Sequence, residues 1–594
     1  MADSQAHKWP IANWGWLIAL WLGMLGLNAQ AKEAPPPWQL SLHFNPGVLE
    51  MWQLQISSPV KGLPSSRFDG YRTYVLRSDQ GQRTQARFDG PMRLLTPQAE
   101  FSFDQLQVEV SSKLNAITLR DRRGRTVFLA DMPHRHQQAT RLDWRFMNLR
   151  PSTWLAKRLG QPLLADQVIG SVDLLGPQPV ELAKGTACPS PRPVWPSPTQ
   201  PADIQLFEIG GVQAMRCQGC SEGSSNGQVV VAPDATLLNV GQSDVPWWEK
   251  FFSPQAPYNN DQHPLLVWAI YRIDANGSLH PLGSSGVKHA FFAQNDMCAC
   301  PGDRILYRGC SDLYSRSTND ASSLLGPRDE IAPRPTLWGR CGSVFDPDCD
   351  GIENSSGYAQ TPYERRLVVT ESRMQNHPGA SYWIEAWYVV RDDSNLDNSL
   401  AIRQIIPAKV GSAWNIAVSG ALSNGPLINH WVNPADADPL TENQLIDVAD
   451  GRLRLAVRVQ NLGGEWHYRY ALMNLDYADA EFSGSEPGML RLLSQIGAVG
   501  LRWPLSRDDA MQAGWRDEGG DSSSAWRALT GTSLGLEATT ALGLGWGRML
   551  VFEFRSRFAP QAGTITLSLG ASDSVAVNSL VPVVVDRILR DGFE

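Results

Sequence analysis

The stretch CACPGDRILYRGCSDLYS, from Cys298 to Ser315, places three cysteines close together and follows them with a Ser-Asp pair. Cysteines at this density either bind zinc or form disulfides, depending on the compartment. The chain has eight cysteines, an even number: Cys188, Cys217, Cys220, Cys298, Cys300, Cys310, Cys341 and Cys349. Cys298 and Cys300 are too close to pair with each other, so we expect each to bond to a different partner.

The N-terminal segment 1–31 predicts export. Lys8 supplies a positive charge, residues 14–27 are almost wholly apolar, and Ala29-Gln30-Ala31 is a small-x-small cleavage site. These are the parts of a signal peptide, and the apolar run is shorter than the ~20 residues that span a membrane. An uncleaved anchor helix is the alternative. We expect a secreted, periplasmic or outer-surface protein.

An oxidising compartment favours disulfides over bound zinc for the cysteines. The alternative is a structural zinc site with four thiolates, because pairs of cysteines two to four residues apart suit that metal. Its ligands would be Cys217, Cys220, Cys298 and either Cys300 or Cys310.

The stretch FDPDCDGIENSSG has the D-x-D-x-D-G order of a calcium loop, with Asp346, Asp348 and Asp350 at alternate positions. Such carboxylates converge on one hard cation, and the glycine permits the sharp turn. The twelfth position is Gly357 instead of a bidentate glutamate, so Glu353 or the neighbouring asparagine would complete the shell. The alternative is an acidic, disulfide-tethered turn without metal. The sequence establishes no cofactor, and calcium is the leading candidate.

A second acidic cluster follows a predicted strand and either binds calcium or is simply solvated. It consists of Asp392, Asp393, Asn395 and Asp397.

A catalytic alternative rests on His263 and His289, which lie on neighbouring predicted strands, with Asp312 close by in the sequence. Two histidines and a carboxylate can serve as a general base or as ligands of a transition metal. The favoured interpretation is structural, with each histidine hydrogen-bonded at a strand end.

The composition argues against one class of partner and leaves two roles open for the tryptophans. With 52 basic and 60 acidic residues the net charge is −8, which excludes general nucleic-acid binding. The 22 tryptophans either build cores or stack on sugars and partners. Core packing is the favoured role, whereas a binding module would expose Trp247, Trp248 or Trp387 as a patch.

Short alternating stretches between turn signals predict a mainly β protein of two or more β-sandwich-like domains with few short helices. Hairpin turns are expected at Gly124, Asn276-Gly277 and Gly463-Gly464, and a short helix between Ser152 and Gly160. The predicted divisions are an N-terminal β-rich domain at 36–185, a proline-rich linker at 186–202, a main disulfide-stapled region at 203–565, and a C-terminal strand and tail at 566–594.

Several stretches of the main region resemble, in order, a family of exported bacterial proteins of unknown function: NDQHPLLVWAIYRI, GVKHAFFA, GCSDLYS, LGPRDEI, YWIEAWYVVRDDSNLDNS, EWHYRYALMNLD and LGWGRMLVFEF. The resemblance covers about residues 203–560 and implies a secreted β-rich module, without implying an activity or catalytic residues. A histidine-containing segment of the family is replaced after YALMNLD. The ending DRILRDGFE resembles a short terminus of exported Gram-negative proteins, and is either a sorting tag or the end of a strand.

Together these patterns predict a non-enzymatic envelope or extracellular protein that binds a cell-surface or envelope partner or a glycan, or that has a structural role. The alternative is a secreted hydrolase or metal-dependent oxidoreductase with a site near His263, His289 and Asp312.

Overall fold

The computed structural model describes residues 39–44, 48–49, 52–57, 72–77, 85–111, 116–131, 134–138, 141–175, 188, 193–216, 227–251, 264–298, 300, 304–361, 363–410, 413–436, 438–485 and 488–582. Strands account for 55% of the described residues and helices for 8%, in several β-rich units. The predicted mainly β architecture is therefore confirmed. We describe three groups of strands as the first, second and third modules.

The first module is a sheet that closes on itself. Its strands are β1 (Gln39–Phe44), β2 (Gln55–Ser57), β3 (Arg72–Arg77), β4 (Gln85–Leu95), β5 (Glu100–Ser111), β6 (Ala116–Asp121), β7 (Thr126–Asp131), β8 (His134–Gln138), β9 (Arg141–Pro151) and β10 (Gly170–Leu175). All but β2 and β8 pair in a ring, because β10 pairs with both β1 and β9. Buried apolar side chains such as Leu42, Phe128 and Val172 form its core.

The second module is a sandwich of two sheets. Its strands are β11 (Ile204–Arg216), β12 (Gln228–Asn239), β13 (Val245–Pro246), β14 (Leu265–Ile273), β15 (Leu279–Ser284), β16 (Val287–His289), β17 (Ile305–Leu306), β18 (Ser311–Tyr314), β19 (Leu325–Gly326), β20 (Ile331–Ala332), β21 (Leu337–Trp338), β22 (Leu367–Thr370), β23 (Ser381–Val389), β24 (Leu400–Val410) and β25 (Ala413–Asn424). The outer sheet contains β11, β12, β18 and β22. The central sheet contains β14 to β16, β19 and β23 to β25.

The third module is another sandwich, and it includes the last described strand. Its strands are β26 (Thr441–Val448), β27 (Gly451–Asn461), β28 (Trp466–Asn474), β29 (Asp479–Ser483), β30 (Arg491–Ile496), β31 (Ala498–Ser506), β32 (Met511–Asp517), β33 (Gly520–Asp521), β34 (Trp526–Ala528), β35 (Ser533–Ala538), β36 (Arg548–Ser556), β37 (Pro560–Leu569) and β38 (Asp573–Pro582). The boundary predicted after residue 565 falls within β37. Because β38 pairs with β37 along its whole length, it belongs to this sandwich.

The central sheet is buried on both faces. On β23, Ile384 and Tyr388 face the core shared with the outer sheet. On the opposite face, Trp387 joins a cluster that includes Trp546 of the third module. The Tyr388 hydroxyl donates to the Ala235 carbonyl, 3.0 Å away, and so ties the central sheet to the outer sheet.

Short helices and turns lie where local signals place them. The helices are α1 (Thr153–Arg158), α2 (Arg316–Asn319) and α3 (Leu427–Trp431), with 3₁₀ turns at Pro162–Asp166, Ser322–Leu324, Arg328–Glu330, Ser355–Gly357, Glu371–Arg373 and Arg507–Asp509. Ser152 caps α1 through a 3.1 Å bond from the Leu155 amide, and Gly160 follows it at φ +70°. Gly277, at φ +83°, sits in the turn between β14 and β15. These local predictions are confirmed.

The described part of the proline-rich segment is fastened to the second module. The Val194 amide donates to Asp244 Oδ2 at 2.7 Å, and the Asp244 amide donates back to the Val194 carbonyl. The proline-rich segment is therefore held against the second module at Val194.

Polar contacts also join the first two modules, since Asn148 donates to Asp234 at 3.2 Å.

Replacing Ser152 by alanine should loosen α1 without unfolding the chain, because an N-cap is worth about 1 kcal/mol. We expect roughly fivefold faster amide exchange in the α1 peptide, measured by mass spectrometry. Ser506→Ala is the control, since the Ser506 hydroxyl accepts a longer, exposed bond of 3.4 Å. Unchanged exchange in α1 would contradict the capping role.

Candidate functional site

The cysteines of the opening stretch are bonded to one another and to the proline-rich segment. The described disulfides join Cys188 to Cys300, Cys298 to Cys310, and Cys341 to Cys349. Cys298 and Cys300 take different partners, as predicted. Their sulfurs are therefore not thiolate ligands, and the zinc alternative is wrong for these positions. Cys217 and Cys220 lie outside the described residues. Disulfides indicate an oxidising, extracytoplasmic location.

The aspartates of the predicted calcium loop do converge. Asp346, Asp348 and Asp350 each offer a carboxylate oxygen within 4.8 Å of the others. The Asp346 side chain is buried and accepts the Gly351 amide at 3.3 Å, with Gly351 at φ +80°. A charged neighbour shares the site, since Arg340 Nε lies 3.6 Å from the second Asp346 oxygen.

Glu353 does not complete this shell, and that expectation is corrected. Its carboxylate forms an ion pair with Lys250, whose side chain is buried beside the rings of Phe345 and Tyr358. Burial lowers the pKa of Lys250 to about 7. Asn354, the other option, accepts the Ser356 amide at 2.9 Å as the cap of a 3₁₀ turn. The remaining oxygen ligands of a cation would be backbone carbonyls or water.

The second acidic cluster is built as a turn. Asp393 is mostly buried, and its Oδ1 accepts the amides of Asn395 and Ile204 at 3.2 and 3.4 Å. Burial raises the pKa of Asp393 to about 7. Asp397 points elsewhere, with an oxygen 3.5 Å from Arg452. The cluster therefore fixes the chain between β23 and β24 and does not gather its carboxylates.

Two of the three residues of the catalytic alternative, His289 and Asp312, lie in the described part of the chain. His289 is fully buried, and its ring packs against Trp338 and Phe345 at centroid distances of 4.9 and 5.5 Å. Asp312 lies in the core between the two sheets, where one oxygen accepts the Gln294 amide at 2.7 Å. His263 lies outside the described residues.

Lys288, which sequence reasoning missed, takes the place beside Asp312. Adjacent residues on a strand point to opposite faces of the sheet. Lys288 therefore points into the core between the two sheets, and His289 points to the opposite face. Its fully buried ammonium nitrogen lies 2.9 Å from the Tyr314 ring centroid and makes no hydrogen bond with the described residues. Burial lowers the pKa of Lys288 well below its usual value and raises that of Asp312 to about 7. The lone lysine in GVKHAFFA was the available signal.

The tryptophans singled out as a binding patch are core residues. Trp247, Trp248 and Trp387 are 0%, 2% and 3% exposed. The Trp247 indole donates to the Tyr314 hydroxyl at 2.8 Å, and Trp387 packs edge-on against Trp546. The favoured core interpretation is confirmed for these three, and none of them forms a surface patch.

A cavity of about 300 Å³ lies between the second and third modules. We call it the intermodule cavity. Its walls come from three distant stretches, 284–286, 327–329 and 542–548, together with single residues that include Arg365, Arg366, Tyr477, Gln495 and Gly497. None of these described lining residues is a histidine, cysteine, lysine or glutamate.

Arginines are most of the charged residues that line this cavity, but they differ in exposure and in how far their donors are already hydrogen-bonded. Arg328 is buried and donates to the carbonyls of Ser285 and Trp546 at 2.7 and 3.1 Å, which joins the two modules. Burial lowers its pKa to about 10. Arg548 is half exposed, and its closest described carboxylate is Glu518 at 3.8 Å. Arg548 is therefore the lining arginine best able to reach a ligand.

No protein-family model matches this chain, and a search of curated proteins finds no similar sequence. No helix in the described part of the chain has the length and apolar character needed to cross a membrane.

Replacing Lys288 by methionine should stabilise the protein at pH 7. The folded-state pKa of Lys288 is lowered, so the buried amine costs stability below the unfolded pKa of about 10.4 and costs none above it. We expect a gain of about 1 kcal/mol in unfolding free energy at pH 7 that shrinks towards pH 10. Denaturant titrations at several pH values measure it.

Lys409→Met is the matched control with the opposite expectation. Lys409 Nζ lies 3.3 Å from the buried carboxylate of Glu371, so its removal leaves an acid without its cation and should destabilise the protein. A loss of stability in Lys288→Met at pH 7 would contradict the cost assigned to the buried amine.

Proposed function

We propose that this chain is an exported, non-enzymatic envelope or extracellular protein that binds a surface or envelope component, such as a glycan, in the intermodule cavity. The observation that supports this most is the cavity itself. It lies between two modules, a common place for ligand sites, and its volume is at the lower end of the range for small-molecule pockets. The predicted signal peptide and the described disulfides agree with export.

Binding is favoured over catalysis by what the cavity wall contains. Its described lining offers serines, a tyrosine and arginines, but no histidine or cysteine to activate a nucleophile. The alternative of a hydrolase or metal-dependent oxidoreductase near His263, His289 and Asp312 stays a prediction, because His263 lies outside the described residues. His289 itself packs against the rings of Trp338 and Phe345, which favours a structural role for it.

A bulky substitution that fills the cavity tests this proposal. Gly545 lines it, and a Cβ there would meet no atom within 4 Å, so Gly545→Phe should occupy the space without disturbing the backbone. We expect purified protein to co-sediment with Gram-negative envelope fragments and Gly545→Phe to lose most of that binding. Gly514→Phe is the control, because Gly514 also has open space and lies outside the cavity. Equal sedimentation of both variants would refute the site.

Calcium is the second component of the proposal, as an ordering ion for the loop of Asp346, Asp348 and Asp350. The convergence of three carboxylates supports it. Extracellular modules bind calcium at roughly 10⁻⁴–10⁻³ M. Oxygen ligands from this loop would hold the ion, and its role would be structural.

Calcium at about 10 mM should stabilise the protein by about 2 kcal/mol and raise its melting temperature. Asp348→Asn should remove this response, because it takes one charge from the shell. Asp397→Asn should keep it, since Asp397 belongs to the other acidic cluster and lies by Arg452. A melting temperature that does not respond to calcium or to a chelator would remove the ion from the proposal.

A further inference from the structure

We propose that the intermodule cavity takes a small organic anion, whose carboxylate or phosphate group is held against the arginine wall. This deepens the proposed function, on which it rests, by naming the chemistry of the ligand.

The first support is the charge of the wall. Four arginines line the cavity against one carboxylate, that of Asp329: Arg328, Arg365, Arg366 and Arg548. The counter-ions of three of them stand behind the lining, because Arg365 pairs with Glu364, Arg366 with Asp320 and Arg548 with Glu518. A concave wall that carries mostly one sign of charge concentrates the field on its contents, so an anion is favoured over a neutral or cationic ligand.

The second support is the guanidinium group of Arg548, which lines the cavity and is half exposed. Its carboxylate partner, Glu518, lies 3.8 Å away. A guanidinium fork presents its donors in the planar arrangement that suits carboxylate and phosphate.

The third support is the shape of the wall. Gly545 lines the cavity with open space at its Cβ position, so a ligand can approach its backbone closely, whereas Gly286, Gly497 and Gly543 pack against other backbone atoms. Arg328 is fully occupied by backbone carbonyls and holds the modules together. It therefore contributes fixed positive charge, whereas Arg548 would contact the anion directly.

The size of the cavity selects the probes. A volume of about 300 Å³ admits one ring-sized molecule. Glucuronate and glucose 6-phosphate carry the two anionic groups on similar bodies, and glucose is their neutral counterpart. Isothermal titration of the whole protein with each of the three measures the contribution of the charge.

We expect glucuronate, glucose 6-phosphate or both to bind, glucose to bind at least tenfold more weakly, and salt to weaken the anions. The anion that binds shows whether the cavity accepts a carboxylate group or a phosphate group. Arg548→Ala should weaken anion binding about tenfold, with partial recovery in Arg548→Lys, because lysine keeps the charge but loses the fork. Arg557→Ala is the control: Arg557 is similarly exposed and pairs with Asp509, away from the cavity.

Equal binding of glucose and the anions, no binding of either anion, or unchanged affinity in Arg548→Ala would each overturn the inference. These outcomes are separate from the proposed function. If Gly545→Phe abolishes envelope binding while neither anion binds, the cavity remains a binding site for a ligand of other chemistry. If Gly545→Phe binds envelopes normally and no anion binds, both proposals fail.

Discussion

The burial of the central sheet on both faces is the constraint on which the rest of the structure depends. Strands β14 and β23 pack the outer sheet on one side and the third module on the other, so almost every side chain on them leaves water. Polar groups on these strands then need internal partners. Glu385 shows this: it accepts the Leu427 amide at 2.8 Å and the Tyr271 hydroxyl at 3.3 Å, and burial raises its pKa to about 7.

The same layering explains why the intermodule cavity has fixed walls. Apolar packing between the central sheet and β28 and β36 holds the second and third modules together. Arg328 adds a polar bond across this junction, donating to carbonyls of both modules while the Trp546 indole donates back to it at 2.9 Å. A site between modules held in this way is pre-organised, which reduces the entropy that binding must overcome.

Disulfides and buried charged groups affect the stability of the second module in opposite ways. The adjacent bonds Cys188–Cys300 and Cys298–Cys310 fasten the proline-rich segment and the loop before β18, where backbone pairing is sparse. Lys288 lies in the core instead, beside Asp312, and its buried ammonium makes no hydrogen bond with the described residues. We read the cysteines as the stabilising element here and the buried lysine as a cost that the surrounding packing tolerates.

Short stretches of sequence were enough to predict the cap at Ser152, the turn at Gly277 and the separate partners of Cys298 and Cys300. These features depend on backbone conformation within a few residues. The tertiary structure was needed to show that Glu353 pairs with Lys250. It also decided that Arg328 meets Trp546, 218 residues away in the chain. Such contacts depend on how whole sheets stack, which no short stretch of sequence specifies.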